Sequence, residues 1–166
     1  MSVTIQRARP EDAPALIEYL NIVGGETDNL TFGAGEFPAT VEEEAEFLRR
    51  EAENPKSLML TAWEGGRIVG NAHLGALSRR LAHRGSLGIS VLREAWGRGV
   101  GSALMEEVIA HARAQGLEII ELEVRSDNPR AIRLYEKFGF VRIGHYPGFF
   151  KIGGEYFDCE LMNLYL

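Results

Sequence analysis

Several features that mark other classes of protein are scarce in this chain of 166 residues. It has one cysteine, Cys159, so no internal disulfide can form. No apolar run approaches the roughly 18 residues of a membrane-spanning helix, and no cationic, apolar leader stands at the N-terminus. No pair of His, Cys, Asp or Glu residues has zinc-site spacing, so we expect no bound metal. These absences predict a soluble, cytoplasmic protein that neither enters a membrane nor depends on a metal.

Basic residues are outnumbered, at 18 Lys and Arg against 24 Asp and Glu, and the net charge is −6. Nonspecific nucleic-acid binding needs a basic surface, so we expect no nucleic-acid partner. Two local groups of like charge stand out. The basic group is Arg98, Arg130, Arg133 and Lys137, and the acidic group is Glu42, Glu43, Glu44 and Glu46. The acidic group predicts a solvated helix face or, alternatively, the rim of a site for a cationic amine.

The length and an apolar content of 45% suit one domain over residues 1–166. Hydrophobic periodicity predicts the order β-α-α-β-β-β-α-β-α-β-β, a mixed α/β sheet with flanking helices. We expect the first helix over 10–22 and the second from a capping box at Thr40 to about Glu53. The last two strands are expected over 140–145 and 155–164, joined through 146–150.

A glycine-rich turn follows a β-branched strand that ends at Val91. The run WGRGVGS covers 96–102, and a helical apolar pattern follows it. Glycines let the backbone approach a ligand and a helix start attracts anions, so this turn suits a phosphate. The alternatives are a purely structural turn and a dinucleotide fold with Glu121 or Glu123 as the ribose-binding acid. Consecutive strands before the turn argue against the dinucleotide fold.

A second motif, about thirty residues later, predicts a short helix with one functional face. Asn128 is a good N-cap, Pro129 suits the first helical position, and Gly139 ends the helix. The spacing of Asn128, Ala131 and Tyr135 puts them on one face. Small Ala131 leaves room for a ligand along that face.

Together the two motifs resemble the acetyl-CoA-binding core of the GCN5-related N-acetyltransferases, the GNAT family. The match runs from Ser86 to Phe140, as V-x-x-x-x-x-G-x-G-x-G-x-x-L followed by N-x-x-A-x-x-L-Y-x-x-x-G-F. The resemblance implies a sheet in which the cofactor strand and the next strand splay apart to admit pantetheine. It also implies acetyl-CoA as cosubstrate and direct attack by a primary amine in a ternary complex. The implied acceptor is a free amino acid, a small amine or a protein N-terminus.

The family's cofactor contacts carry over position by position. The strand at Val91 resembles the one whose backbone pairs with the pantetheine amides, and Asn128 matches the family's pantetheine-contacting asparagine. Ala131 allows the cofactor to lie along the helix, and Lys137 adds a cation for the CoA phosphates. The pyrophosphate loop corresponds to Gly97, Arg98, Gly99, Val100, Gly101 and Ser102.

One match concerns catalysis and one position departs from the family. Tyr135 matches the tyrosine near the acetyl thioester that is taken as the general acid protonating the departing thiolate. The family usually has Arg or Gln five residues after the strand valine, where this chain has Trp96. That departure removes a side chain but no backbone donor, so Trp96 is a poor candidate for a phosphate ligand.

A base is useful because the attacking amine must be neutral. Segment 119–125 alternates, so Glu121, Glu123 and Arg125 share one face of a strand, where paired carboxylates would raise one pKa. Glu123 resembles the proposed base of the ribosomal-protein alanine acetyltransferase branch. The alternatives are that Glu123 solvates the strand face or pairs with Arg125, and that a water chain deprotonates the amine.

The acceptor side has weaker signals. Segment 24–38 lacks periodicity and covers the acceptor site in the family, with Phe32 and Phe37 as candidate walls. His73 and His83 are expected to be packed or surface side chains. Many family members are dimers, so the resemblance leaves a homodimer open. The alternative function is a catalytically silent acyl-CoA sensor.

Overall fold

A computed structural model describes residues 2–166, and the predicted order of strands and helices is confirmed. Short 3₁₀ turns precede the first helix and flank the fourth strand, at Pro10–Asp12, Arg79–Leu81 and Arg93–Ala95. The elements are β1 (Thr4–Arg7), α1 (Ala13–Glu26), α2 (Val41–Glu53), β2 (Leu58–Glu64), β3 (Arg67–Ala76), β4 (Arg84–Val91), α3 (Val100–Ala114), β5 (Ile119–Arg125), α4 (Pro129–Lys137), β6 (Val141–Ile152) and β7 (Glu155–Tyr165).

The strands form one mixed sheet in the order β1-β2-β3-β4-β5-β7-β6. Within residues 2–166, β4 and β5 are the one parallel pair, and the other neighbours are antiparallel. Their pairing begins at Arg84↔Ile119 and stops after Ser86↔Glu121, although β4 continues to Val91. The predicted splay between the cofactor strand and its successor is therefore confirmed.

Helices α3 and α4 cover one face of the sheet. A β-carbon on Gly70 of β3 would lie 3.0 Å from Val100 and 3.2 Å from Leu104, so a glycine lets α3 approach closely. Helix α4 packs against the start of α3, since a β-carbon on Gly101 would lie 3.4 Å from Leu134. The apolar face of α3 is fully buried and anchors the core.

Helices α1 and α2 cover the opposite face. The Tyr19 hydroxyl of α1 shares a 2.8 Å hydrogen bond with Ser90 of β4, and the ring of Phe47 in α2 lies edge-on to His73 of β3. The predicted capping box of α2 is confirmed. Thr40 accepts from the Glu43 amide, and the Glu43 carboxylate accepts from the Thr40 amide.

Two predicted boundaries are wrong. Helix α1 continues past Ile22 to Glu26, and Gly24 lets its last turn pack against the aperiodic segment, since a β-carbon there would lie within 3 Å of the Gly33 carbonyl and the Phe32 ring. The predicted link at 146–150 instead lies inside β6. A register shift there forms a bulge, which tolerates a proline on an edge strand, and the chain turns at 153–154.

Candidate functional site

The glycine-rich turn forms an open anion cradle at the start of α3. Gly97 and Gly99 have φ angles of +73° and +81°, a region that favours glycine. The first helical bond runs from the Ala103 amide to the Gly99 carbonyl, so the amides of Gly101 and Ser102 lie at the helix end without helical partners. A β-carbon on Gly99 would meet nothing within 4 Å. Free amide donors thus face open space at the positive end of a helix dipole.

Side chains of the loop itself are turned away from that space. Val100 is buried beneath α3, so only its backbone is available to a ligand. The Arg98 guanidinium forms a bidentate ion pair with Glu64 at the end of β2, with one N–O distance of 3.1 Å. This pairing lowers the pKa of the Glu64 carboxyl. The predicted phosphate contacts of Val100 and Arg98 would therefore come from backbone N–H groups.

Trp96 closes the loop onto the strand before it. Its indole Nε1 donates a 2.8 Å hydrogen bond to the carbonyl of Val91, the last residue of β4. The ring is 40% exposed, and the guanidinium carbon of Arg130 lies 4.8 Å from its centroid. Val91 itself lies beyond the point where β4 and β5 stop pairing. Its backbone is therefore at the mouth of the splay, and its pairing with pantetheine stays a prediction.

Helix α4 presents the residues of the second motif beside this splay. Asn128 is the N-cap and its side-chain oxygen accepts from the Ala131 amide at 3.3 Å, as predicted. That bond leaves the Asn128 amide hydrogens for a ligand. Ala131 is half-buried on the same face, whereas Lys137 is exposed at the last turn. The Lys137 ammonium lies 5.6 Å from the Phe138 ring, and its role toward CoA stays a prediction.

Tyr135 is buried and chemically suited to donate a proton. Its side chain is 7% exposed, and its ring packs 5.7 Å from that of Phe140. Burial raises the pKa of the hydroxyl to about 12. No side chain or backbone group of residues 2–166 hydrogen-bonds to it, so the proton is free for a bound molecule. Tyr135 lies on α4, the helix whose Leu134 packs against Gly101 at the start of α3.

The charged face of β5 looks toward α1 and α2, and its members have different partners. Glu121 is paired with Arg84 at 3.0 Å, so its carboxylate is already occupied and it is a poor candidate for the base. Arg125 is buried and binds both carboxylate oxygens of Asp127, at 2.8 and 2.7 Å, which lowers the pKa of Asp127. The alternative that Arg125 pairs with Glu123 is therefore wrong. Glu123 is exposed, and no cation within residues 2–166 bonds to its carboxylate.

Arg125 also ties the aperiodic segment to the sheet. Its guanidinium donates to the Asp28 carbonyl at 3.1 Å and stacks 4.0 Å from the Phe157 ring. Phe32 and Phe37 of the same segment form an edge-on pair at 5.5 Å and are half-buried, which keeps them candidates for the acceptor wall. The segment is thus held over the end of β5 that carries Glu123.

The single cysteine lies next to this face. Cys159 is buried in β7 opposite Arg125, as expected for a packed residue in a late strand. Burial, followed by the charge of Glu123, raises the pKa of its thiol to about 11. A thiol that stays protonated is a poor nucleophile, so the arrangement favours direct transfer over an acyl-cysteine route.

Two acidic residues of α2, Glu44 and Glu51, lie on the side of the helix that faces the sheet. The acidic group of the sequence did not predict this orientation. The Glu44 side chain is 4% exposed, and burial raises its pKa, so its assignment to a solvated face is wrong. The Glu51 carboxylate accepts from His73 Nε2 at 2.6 Å, and a β-carbon on Gly88, directly across from His73, would meet nothing within 4 Å. Open space therefore lies beside His73. The available signal was spacing, because Glu44 and Glu51 share the helix face of Leu48.

The comparison with known families decides the relationship. Residues 27–140 match the family described as Acetyltransferase (GNAT) family. The chain belongs to the GNAT family of acetyltransferases. The match includes both motifs and β4, and it begins at the aperiodic segment.

Similar proteins extend the GNAT relationship over the whole chain. The L-methionine sulfoximine/L-methionine sulfone acetyltransferase of Pseudomonas paraeruginosa is 26% identical over 100% of this chain and 96% of its own length. The L-amino acid N-acetyltransferase AaaT of Escherichia coli is 36% identical over 68% of this chain and 71% of its own. A GNAT acetyltransferase crystal structure from Streptococcus pneumoniae is 33% identical, with a TM-score of 0.96, covering 99% and 100% of the two chains.

The cradle fits the donor that GNAT enzymes use. Two solved acetyltransferases that share this fold, from Salmonella typhimurium and Sinorhizobium meliloti, contain acetyl-CoA. Open space above Gly99 and free amides at the start of α3 suit the diphosphate of that molecule. No three His, Cys, Asp or Glu side chains are arranged for a metal within residues 2–166. In the same range, no helix is both long and apolar enough to span a membrane.

Proposed function

We propose that this enzyme acetylates the primary amino group of a free amino acid, or of a close analogue, by direct attack in a ternary complex. The observation that carries the proposal is the splay after Ser86↔Glu121, where β4 and β5 stop pairing and leave a gap between them. The glycine turn and Tyr135 lie on the α3–α4 side, and Glu123 faces the α1–α2 side. Both faces open on the same gap, so a donor and an acceptor can meet there.

The donor half holds acetyl-CoA, which supplies the acetyl thioester. The loop from Gly97 to Ser102 would bind the diphosphate through backbone amides, and Val91 would pair with pantetheine through its backbone. Asn128 would donate from its amide nitrogen, while Ala131 leaves room beside α4. Amide donors that are already oriented by the fold bind an anion without reorganising, which favours transfer once the acceptor is present.

Tyr135 is proposed as the general acid. A pKa of about 12 keeps the hydroxyl protonated at neutral pH, so a proton is always available. The hydroxyl donates this proton to sulfur as the carbon–sulfur bond breaks. General acid catalysis of this kind contributes on the order of 10²- to 10⁴-fold.

Glu123 is proposed as the base that accepts the proton of the attacking amine. It is exposed on the acceptor face, beyond the last residue of β5 that pairs with β4, and no cation within residues 2–166 competes for its carboxylate. The amine nitrogen forms the new bond to the acetyl carbon, Glu123 takes a proton from nitrogen, and Tyr135 gives one to sulfur. The amide and the thiol of CoA are then both formed without a charge at the reacting atoms, and one negative charge has passed from Glu123 to Tyr135.

The amino-acid acceptor is supported by two relatives. The full-length Pseudomonas relative is named for an amino-acid sulfoximine and sulfone, and AaaT for L-amino acids. On this chain, the acceptor cleft would run over Gly88 between His73 and Glu123. Polar pairs border it, with Tyr19–Ser90 at 2.8 Å and His73–Glu51 at 2.6 Å. Polar groups with fixed orientation suit a small zwitterion better than an apolar amine.

The test is thiol release from acetyl-CoA by purified protein, with mass-spectrometric detection of the product. The panel contains free amino acids, methionine sulfone and sulfoximine, polyamines and N-terminal peptides. We expect turnover on an amino acid or analogue, with an acetylated α-amine. Turnover on peptides alone would overturn the amino-acid assignment, and CoA binding without any turnover would favour the silent sensor.

The proposal also covers the domain organisation, the cellular location and the oligomeric state. We propose that residues 1–166 form one N-acetyltransferase domain, that it acts in the cytoplasm, and that it forms a homodimer. The supporting observation for one domain is that all seven strands join a single sheet. Sedimentation velocity tests the dimer, for which a mass near twice 18.4 kDa is expected and a monomer would contradict it.

A further inference from the structure

The arginine side chains in and beside the glycine turn already have partners within the protein. Two arginines next to the turn are committed elsewhere, because Arg98 pairs with Glu64 and Arg93 binds Glu26 at the end of α1. Trp96 stands where a cationic or amide side chain would otherwise reach a phosphate. A diphosphate on this turn would therefore meet backbone amides but no side-chain cation from the turn itself.

Arg130 supplies the missing cation from another element. It is exposed in the first turn of α4, and no carboxylate of residues 2–166 pairs with it. Its Nη2 lies 4.0 Å from the place where a β-carbon on Gly97 would be, and its guanidinium carbon is 4.8 Å from the Trp96 ring. The charge thus sits over the left-handed glycine at which the anion cradle begins.

Trp96 gives this guanidinium a fixed platform. The indole is itself held by the 2.8 Å bond from its Nε1 to the Val91 carbonyl. A guanidinium stacked on an aromatic face keeps its N–H groups in its own plane and can still donate two parallel bonds to a phosphate. Stacking therefore orients Arg130 without consuming its donors.

We propose that Arg130, oriented by Trp96, is the side-chain ligand of the CoA diphosphate, in place of a cation at position 96. The proposal rests on CoA as the ligand of this site. The diphosphate would then bind both the glycine turn and α4, the helix that carries Asn128 and Tyr135. Trp96 acts through Arg130 and is a positioning residue.

The experiment is isothermal titration calorimetry with three ligands that differ in phosphate content. CoA has the diphosphate and the 3′-phosphate, dephospho-CoA keeps only the diphosphate, and pantetheine has neither. We expect Arg130→Ala to weaken CoA and dephospho-CoA by about 10- to 100-fold, the scale of a lost charge-assisted pair, and to leave pantetheine unchanged. Arg113→Ala, at the far end of α3, removes one exposed cation and should change none of the three.

The orienting role of Trp96 is tested by a double-mutant cycle. Trp96→Leu should weaken dephospho-CoA by about 3- to 10-fold, and Arg130→Ala should cost less in that background than in the wild type. Additive losses would remove Trp96 from the proposal. Arg130→Lys keeps the charge but not the stacked fork, so we expect an intermediate affinity.

The contrary outcomes are separable. An equal loss for pantetheine would mean that Arg130 only supports α4, and a loss for CoA without one for dephospho-CoA would assign it to the 3′-phosphate. Either result overturns the proposal. A wild-type protein that binds no CoA would instead reject the proposed function, and circular dichroism of each variant identifies one that has unfolded.

Discussion

The donor side and the acceptor side of the gap are built by different means. The donor side is mostly backbone, with glycines at φ angles of +73° and +81°, a helix N-terminus and an asparagine N-cap, all within two short motifs. The acceptor side is made by side-chain pairs between distant segments. Tyr19 and Ser90 are 71 residues apart, Glu51 and His73 are 22 apart, and Arg125 and Asp28 are 97 apart.

This difference explains how one fold can serve many amines. A backbone cradle depends on local sequence and binds the part of the donor that never changes. Side-chain pairs can be replaced singly without disturbing the cradle, so the acceptor side is free to vary. Variants on the two sides should therefore affect different kinetic constants.

The largest expected effect is on the donor side. Gly99→Asp places a side chain and a negative charge in the open space above a left-handed position, where the diphosphate would bind. We expect affinity for CoA to fall by more than about 100-fold, since a lost charged contact, repulsion and backbone strain all act together. Titration calorimetry measures it.

Gly116→Asp is the matched control for that variant. Gly116 also has a positive φ, +74°, with nothing within 4 Å of an added β-carbon, but it lies past the other end of α3. It should lose similar stability and keep its affinity for CoA. Equal losses of affinity in both variants would show that the effect at Gly99 is general strain and not a blocked cradle.

A smaller effect is expected for the proposed acid. Tyr135→Phe should lower kcat by roughly 10- to 1,000-fold, a range that overlaps the lower part of that for general acid catalysis, and change the Kd for acetyl-CoA little. Stopped-time thiol assays and calorimetry give the two values. Tyr156→Phe, at a site that is 66% exposed on β7, is the control. An unchanged kcat in Tyr135→Phe would reject the residue as the acid.

A change on the acceptor side should alter the KM for the amine and leave the KM for acetyl-CoA unchanged. Glu51→Gln weakens the hold on His73 beside the cleft, so we expect the KM for the amine to rise by about 5- to 20-fold with the KM for acetyl-CoA unchanged. Glu53→Gln, an exposed neighbour on the same helix, should change neither. A rise in both KM values for Glu51→Gln would show that the two sides are not independent.

The smallest effect concerns stability. Burial raises the pKa of Glu44, so the folded state favours the neutral acid, and the stability that this gives below the ordinary pKa is lost as pH rises through the raised one. Glu44→Gln should therefore raise Tm at pH 7 by about 1–3 °C, and the gain should shrink toward pH 4. Thermal unfolding at both pH values tests it. A lower Tm at pH 7 would contradict the assignment.

The sequence predicted the donor side well because its rules are local. A glycine with positive φ, an N-cap and an i, i+3, i+7 face are each readable from a few neighbours, and Gly99, Asn128 and Tyr135 lie as those rules require. The order of elements followed from hydrophobic periodicity, and the splay from the family resemblance.

The acceptor side was harder to predict because its partners are far apart in the chain. The spacing of Glu44 and Leu48 puts both on one helix face, but nothing near Glu51 indicates that His73, 22 residues away, will be its partner. On the donor side, in the same way, nothing near Arg98 indicates that it will pair with Glu64. The bulge in β6 was read as a loop because Pro147 and Gly148 are typical turn residues. An edge strand accepts them, since one side of its backbone needs no partner.

The central claim is that an acid from the donor side and a base from the acceptor side act across one gap. The most direct test is the pH dependence of kcat at saturating acetyl-CoA, for the wild type and for Glu123→Gln. The account predicts that kcat rises with pH in the wild type, that this rise is absent in the variant, and that no fall occurs below about pH 10 because the Tyr135 pKa is about 12. An identical profile in the variant, or a fall between about pH 8 and 9 in the wild type, would contradict it.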